Sequence, residues 1–439
     1  MTTKQSLHRA IKILLQRKLI STIEEGEALL RQFRIGVRVH PDCLNDRGCQ
    51  VALATIANAG ARVFLGGVFV DTQGTDSQKL TDLMPDPTVG QSVQALGATW
   101  GHIPADTPTI IIGAVESVEP RHLRICVNGW SGGVISSNGD WCLDPAGLPL
   151  AYILAASIAL GEMFRLHSGD ITEFSEISLG ASLLDPSADW LEGQRLGRAF
   201  VPDSLWVLGL GHLGQAYIWA LASLLKDQSI ELFLQDDGRI EPANFSTGVL
   251  TFGEVEDALK TRVIASWCEN MGIRTRLVER RFGGDLRLQD GEPRVLLSGL
   301  DNSDTRRLLE GPGFNLIIDG GLSPLGNSYD WFTVKTFTGE GRAETVFSQP
   351  TRGMLPSEDE LSAYRKAGAN ECGVAELGAV AVGVPFVGLV AACFVVAEAM
   401  RALSGQPLRV NLAGRVQKID SLEFASGDSF SGNPGFIEV

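Results

Sequence analysis

The stretch Ser204–Leu225, SLWVLGLGHLGQAYIWALASLL, decides the fold. Ser204–Leu208 reads as a buried strand, and the residues after Gly214 read as a helix running to about Leu225. Between them Gly209, Gly211 and Gly214 form G-x-G-x-x-G. The first glycine permits a tight turn, the second lets the backbone approach a phosphate, and the third lets helix and strand pack closely. The helix N-terminus then favours an anion. Moving outward, Ile230–Leu234 is the next strand, and Asp236 at its end is placed to accept hydrogen bonds from a ribose. Strand, glycine loop, helix and strand together open a doubly wound α/β sheet.

Alone, that pattern would suit a nicotinamide dehydrogenase. The rest of the second half does not. Asp236, Ile240, Glu241 and Asn244 follow the spacing D-x-x-x-I-E-x-x-N, and VLLSGLDNSDTR ends a strand at Asp301-Asn302 before Arg306 opens a helix. NLIIDGG, residues 315–321, reads as another strand and turn, and Cys372 lies just before a Gly/Val-rich apolar helix.

The ordered set GLGHLG, DDGRIEPAN, LDNSDTR, IIDGG and the late cysteine, spread over about Leu205 to Gly405, resembles the ThiF/MoeB-type adenylating family that includes the ubiquitin-activating enzymes. The resemblance implies that Gly209, Gly211 and Gly214 hold ATP, Asp236 its ribose, and Asn244 and Lys260 its phosphates. Arg262 is an alternative to Lys260. Asp301 would hold Mg²⁺, with Asn302 beside it, and both Asp301 and Cys372 would be catalytic. The implied reaction is attack of a carboxylate on the α-phosphorus of ATP, followed by transfer of the acyl group to the Cys372 thiolate. The implied partners are a ubiquitin-like protein and a downstream conjugating enzyme. Two departures stand out. Gly238 occupies the place of a second acid, and Thr247 that of an arginine which contacts the triphosphate. Arg31 and Arg34, in the first half, are candidates to replace that arginine. Adenylation of a peptide or other small carboxylate substrate, and a nucleotide-binding pseudoenzyme scaffold, remain alternatives.

An internal repeat sets the domain plan. Residues 148–170 and 384–406 match without a gap at an offset of 236, with 7 identities in 23 that include Pro149/Pro385, Glu162/Glu398 and Arg165/Arg401. In the first half Ile35–Val39 reads as a strand, His40–Gly48 as a loop, then a helix to about Ala59 and a strand Arg62–Val70. That loop, HPDCLNDRG, lacks the glycines that would let the backbone near a phosphate. The predicted fold class is α/β: two tandem Rossmann-like ThiF-type units forming a pseudo-dimer, the first degenerate. Residues 1–195 form the degenerate unit, 196–412 the active one with a crossover loop at about 338–378, and 413–439 a C-terminal extension.

Composition narrows the rest. A net charge of −15 over 439 residues argues against nucleic acid and anionic membranes. Seven scattered cysteines without Cys-x-x-Cys argue against a disulfide scaffold and structural zinc, and place the chain in a reducing cytoplasm. The uncharged run Ala379–Ala397 reads as a buried core helix, because Pro385 and glycines interrupt it and Glu398 follows. Cys393 reads as core, and Cys43 and Cys49 as structural. His212 reads as a tolerated loop residue, and Arg306 as pairing within its own helix. Trp130, Trp141 and Trp190 read as core or interface anchors. The tail from Ala425 reads as extended or mobile.

Overall fold

The structure is a computed structural model describing residues 7–115, 121–136, 141–174, 176–226, 228–339, 343–347, 357–367 and 381–439. The first sheet contains β1 (Arg34–Val39), β2 (Gly67–Asp71), β3 (Thr99–Trp100), β4 (Thr109–Ile112), β5 (His122–Asn128), β6 (Ser131–Ser136) and β7 (Ser178–Ser182). Its order is β3-β2-β1-β4-β5-β6-β7, parallel through β5 and antiparallel beyond. After β8 (Phe200–Pro202), the second sheet contains β9 (Ser204–Leu208), β10 (Glu231–Gln235), β11 (Arg274–Val278), β12 (Val295–Ser298), β13 (Leu316–Leu322), β14 (Trp331–Phe337), β15 (Pro407–Arg415) and β16 (Glu423–Ser429). Its order is β11-β10-β9-β12-β13-β14-β15-β16, parallel through β13 and antiparallel beyond. Strand for strand, the first seven positions repeat the first sheet. The strand expected at Arg62–Val70 is shorter and later, at Gly67–Asp71, because α3 runs on to Ala61.

Helices α1 (Arg9–Gln16) and α2 (Ile23–Leu30) precede β1, and α3 (Arg47–Ala61), α4 (Val89–Ala95) and α5 (Pro149–His167) complete the first half. The second half adds α6 (His212–Leu224), α7 (Lys260–Asn270), α8 (Ser303–Arg306), α9 (Ala343–Val346), α10 (Glu358–Lys366) and α11 (Pro385–Leu403). The repeated segments are α5 and α11. Both start with proline at the first turn, where its missing N–H costs nothing. Each is apolar all round because it is walled in. They pack on one another, α5 also on α3 and α11 also on α6. By length and composition both could cross a membrane, yet 83% and 94% of their apolar windows are buried inside the protein. Cys393 faces the carbonyl of Leu150 across this interface at 3.4 Å, and Phe164 packs on Phe386 with centroids 5.9 Å apart.

Polar contacts fix how the halves meet. Trp219 Nε1 donates to Thr55 Oγ1 at 3.1 Å, and Asn58 Nδ2 to the carbonyl of Val249 at 2.8 Å. Buried Arg62 donates to the carbonyls of Phe245 (2.9 Å) and Thr251 (3.1 Å), and through Nε to Asn58 Oδ1 (3.0 Å). Burial pushes its guanidinium down to about 10. Arg62→Ala strands both carbonyls without donors, at about 1–3 kcal/mol each. A lower urea midpoint for the second half checks this, and an unchanged midpoint contradicts it.

The tail is paired strand rather than loose chain. β16 extends the second sheet, and β17 (Phe436–Glu438) pairs antiparallel with β8. Arg198 Nε meets Glu438 Oε1 at 3.0 Å. Among the tryptophans, Trp130 and Trp190 are buried, but Trp141 is exposed, with the Arg124 guanidinium 4.9 Å from its ring centre.

Candidate active site at the second switch point

The sheet order reverses direction between β9 and β12, and the carboxyl ends of those strands form the crevice where α/β sheets bind ligands. The loop after β9 lies against the loop after β12: a Cβ on Gly209 would sit 3.1 Å from the carbonyl of Gly299. Gly209 itself has φ +82°, which a side chain would strain. Gly214 is pressed onto the turn, with a built Cβ only 1.9 Å from the carbonyl of Gly209. Around Gly211 the space is open, since a Cβ there meets nothing within 4 Å. Among the described residues no side chain caps α6. Its first amides are therefore left for an external acceptor.

Asp236 staples two loops together. Its Oδ2 accepts from the Leu210 amide at 2.7 Å and its Oδ1 from the Gly238 amide at 2.6 Å. A carboxylate has about four lone-pair directions, so two remain for a ribose. Lys260 opens α7, and its Nζ reaches Gly238: a Cβ on Gly238 would lie 3.1 Å from Nζ and 2.9 Å from Asp236 Oδ1. The missing second acid thus leaves the room through which Lys260 passes. Arg262, the alternative cation, points elsewhere and pairs with Glu279 at 2.8 Å.

Asn244 and Asn302 spend part of their hydrogen-bonding capacity on the backbone. Asn244 Oδ1 accepts from the Glu241 amide at 2.9 Å, closing a capping box on the turn Pro242–Ser246. Asn302 caps α8 by accepting from the Asp304 amide at 2.8 Å. Asp301, next to it, is exposed. An accessible carboxylate beside the glycine loop fits a Mg²⁺ ion that would take its other ligands from phosphate and water.

Arg31 and Arg34 do not reach this crevice. Arg31 pairs with Glu27 at 3.4 Å, and Arg34 Nη2 donates to the carbonyl of Ala105 at 3.3 Å, both at the amino ends of the first sheet's strands. The first-half arginine that does arrive is Arg9. Its amide donates to Ser246 Oγ at 3.3 Å; burial lowers its guanidinium against the opposing charge of Glu241, and its own charge helps lower the His212 imidazole. The sequence signal was the amphipathic start of α1, where Arg9 and the buried Lys12 lie one turn apart.

His212 has a job. It packs over Gly383 and Gly388 at the start of α11, where a Cβ on Gly388 would meet Nε2 at 2.4 Å. Burial pushes its imidazole down to about 4. His8, bonded through Nε2 to the carbonyl of Arg62 at 2.9 Å, is likewise pushed down to about 4. Both are neutral in the fold and take up protons on unfolding, where the ordinary histidine value is about 6.5. Their contribution is present in full above pH 6.5 and is lost as the pH falls through 4. The expected result is a fall of a few kcal/mol in stability across that window, read as denaturation midpoints against pH. His212→Asn should flatten part of the curve.

Sequence reading missed a buried polar cluster beneath Asp301. Asp319 on β13 accepts from Ser298 Oγ at 2.6 Å and meets Arg306 Nε at 3.3 Å. Arg306 therefore pairs across to β13 rather than within its own helix, and its Nη2 donates to the carbonyl of Gly320 at 2.9 Å. Burial raises the Asp319 carboxyl, and the guanidinium opposes it. The start of the crossover closes over the cluster: Lys335 Nζ donates to the carbonyl of Val346 at 3.1 Å, and Arg307 Nε to that of Phe347 at 2.8 Å. Farther along, α10 docks on α1 through Gln16 Nε2 and Glu360 Oε1 at 3.0 Å. Cys372 lies outside the described residues.

Two family models match the chain. The BilD N-terminal domain covers residues 34–183 and the BilD C-terminal domain residues 201–406. The bacterial E1-like protein BilD of Collimonas sp. (strain OK412) is 34% identical over 432 residues, spanning 96% of this chain and 94% of its own. The chain belongs to the BilD family of bacterial E1-like proteins. Among solved structures, E. coli MccB is 14% identical with a TM-score of 0.33, over 71% of this chain and 93% of that one. PaaA is 13% identical with a TM-score of 0.33, over 52% and 64%. Scores that low carry nothing about this chain. BilD membership joins both halves in one family and leaves the reaction to be argued from the crevice.

Proposed function

We propose that this protein activates the C-terminal carboxylate of a ubiquitin-like protein, using ATP to form an acyl adenylate and then passing the acyl group to Cys372. The observation that carries the adenylation step is the uncapped amino end of α6 beneath a glycine loop stapled to Asp236, with Lys260 and Asp301 on either side. The α6 amides and Lys260 offset charge on the phosphates as the carboxylate attacks and pyrophosphate leaves. Asp301 would hold Mg²⁺, which supplies further charge neutralisation. Asp236 orients the ribose, and Asn244 offers its amide toward the phosphates.

Arg9 takes the role left open at Thr247, supplying a guanidinium from the first half. Arg9→Ala should raise the KM for ATP and lower kcat/KM at least tenfold while the fold is kept; initial-rate kinetics check this. The first unit is a degenerate copy within a pseudo-dimer. Its matching helix α3 is closed by its own acid, Asp46, whose Oδ1 accepts from the Cys49 amide at 2.8 Å, so no anion is wanted there. A downstream conjugating enzyme would take the acyl group from Cys372 in the cytoplasm.

The test is pyrophosphate exchange into ATP with the purified protein, with and without a ubiquitin-like protein ending in glycine. Exchange that depends on that protein supports the reading. Exchange driven by short peptides or small acids alone moves the substrate to that class. Nucleotide binding without turnover on any acceptor leaves a scaffold.

A further inference from the structure

The two arginines that sequence reading sent to the nucleotide converge on something else. The amino ends of the strands around β1 and β5 open onto a cavity of about 680 Å³. Arg31 at the end of α2, Arg34 at the start of β1 and Arg121 just before β5 line it together. His167 forms part of the wall and is held in place, its Nε2 on the carbonyl of Arg34 at 2.8 Å and its ring stacked on Phe33 at 4.9 Å. Among the described residues Asp106 is the lone carboxylate in the lining, and no carboxylate forms an ion pair with Arg34 or Arg121. The carboxyl end of α5 also points here, but a helix end carries only about half a negative charge. That is too little to account for this grouping of guanidinium ions in a chain of net charge −15. Burial and the charges of Arg121 and Arg34 together hold His167 below the ordinary imidazole range, which places both cations near the ring.

We propose that this cavity binds a small polyanion carrying at least two anionic groups, a diphosphate or a di- or tricarboxylate. Arg34 and Arg121 grip it and Arg31 stands at the rim. Guanidinium forks match phosphate and carboxylate oxygens two at a time. The volume is within the range of small-ligand sites. The site lies at the opposite edge of its sheet from the crevice type that holds nucleotides, so the proposal stands apart from the reading of the second half.

The experiment is calorimetric titration of the full chain, without Mg²⁺ and at low salt, with inorganic pyrophosphate in one arm and citrate in the other. The proteins are the unaltered chain, Arg34→Ala/Arg121→Ala, and Lys260→Ala. The expected result is saturable binding of at least one probe that the double substitution weakens at least tenfold and that Lys260→Ala, which touches only the crevice, leaves in place. Pyrophosphate alone assigns a phosphate ligand, and citrate alone a carboxylate ligand. Should the double variant fail to fold, Arg121→Ala on its exposed side chain carries the test, with at least a threefold loss. No saturable binding tighter than about 1 mM, equal to roughly −4 kcal/mol, overturns the proposal. Binding that survives loss of the arginines, or that vanishes in Lys260→Ala, does the same.

Discussion

Gly214→Ala is expected to abolish measurable nucleotide binding. The added methyl would sit 1.9 Å from the carbonyl oxygen of Gly209, about half the normal carbon–oxygen separation, and both atoms are held by backbone. A flexible side chain could swing aside; this carbonyl cannot without opening the turn. Gly209 is fixed by its own amide bond to the carbonyl of Gln235 at 2.9 Å, and Leu210 by Asp236. Relief must come from moving the first turn of α6 away from β9, which carries off the amides that would face the phosphates. Overpacking of this kind costs about 1–3 kcal/mol in stability. The loss in affinity is larger, because every phosphate contact made by the loop shifts at once. Equilibrium dialysis with labelled ATP, beside a denaturation curve showing the variant still folded, checks the claim. Gly211→Ala is the contrast. Its Cβ meets nothing in the protein, so it should fold normally and lose affinity only by crowding the ligand.

That contrast marks how far the sequence could be read. The strands that carry the second-half loops were legible because each ends at a motif with a local physical cause: glycines for the turn after β9, an acid after β10, and Asp-Asn before α8. Of the two cations the sequence offered, Lys260 reaches Gly238 and Arg262 pairs with Glu279. The arginine proposed for the role left open at Thr247 was not legible in the sequence. Arg9 is more than 200 residues away in the chain, and the approach of α1 to the turn Pro242–Ser246 depends on how the halves pack. Asp319 was also hidden. In NLIIDGG it looks like the polar end of a strand, whereas burial and Arg306 make it the centre of a cluster. The glycines of the first half have a packing reason rather than a chemical one. A Cβ on Gly132 would lie 2.0 Å from the carbonyl of Ala151, and one on Gly180 would lie 2.5 Å from the Trp190 ring. Such contacts join distant segments, so composition could count these glycines without placing them.

Asp301→Ala and Cys372→Ala should fail in different ways, and the difference tests the order of chemistry. Asp301 is exposed at the carboxyl end of β12, beside the glycine loop, where the proposed reaction would have a carboxylate hold a cation shared with phosphates. Its removal acts before any acyl group is activated. Pyrophosphate exchange should fall by about two orders of magnitude or more, the scale of losing one principal charge-stabilising contact, and no thioester should form. The fold should be unaffected, because Asn302, not Asp301, caps α8. In the proposed sequence Cys372 would act only afterwards. With alanine there, exchange should stay within about twofold, since the adenylate can form and reverse without a thiol. The partner-linked species that thiols release should disappear from non-reducing gels. Exchange at the normal rate in Asp301→Ala would take that carboxylate out of the site. A surviving thioester in Cys372→Ala would move the nucleophile to another cysteine. Cys142 would be examined first, because of the six described cysteines it alone is exposed, whereas Cys268 and Cys393 are enclosed and burial pushes their thiols far up.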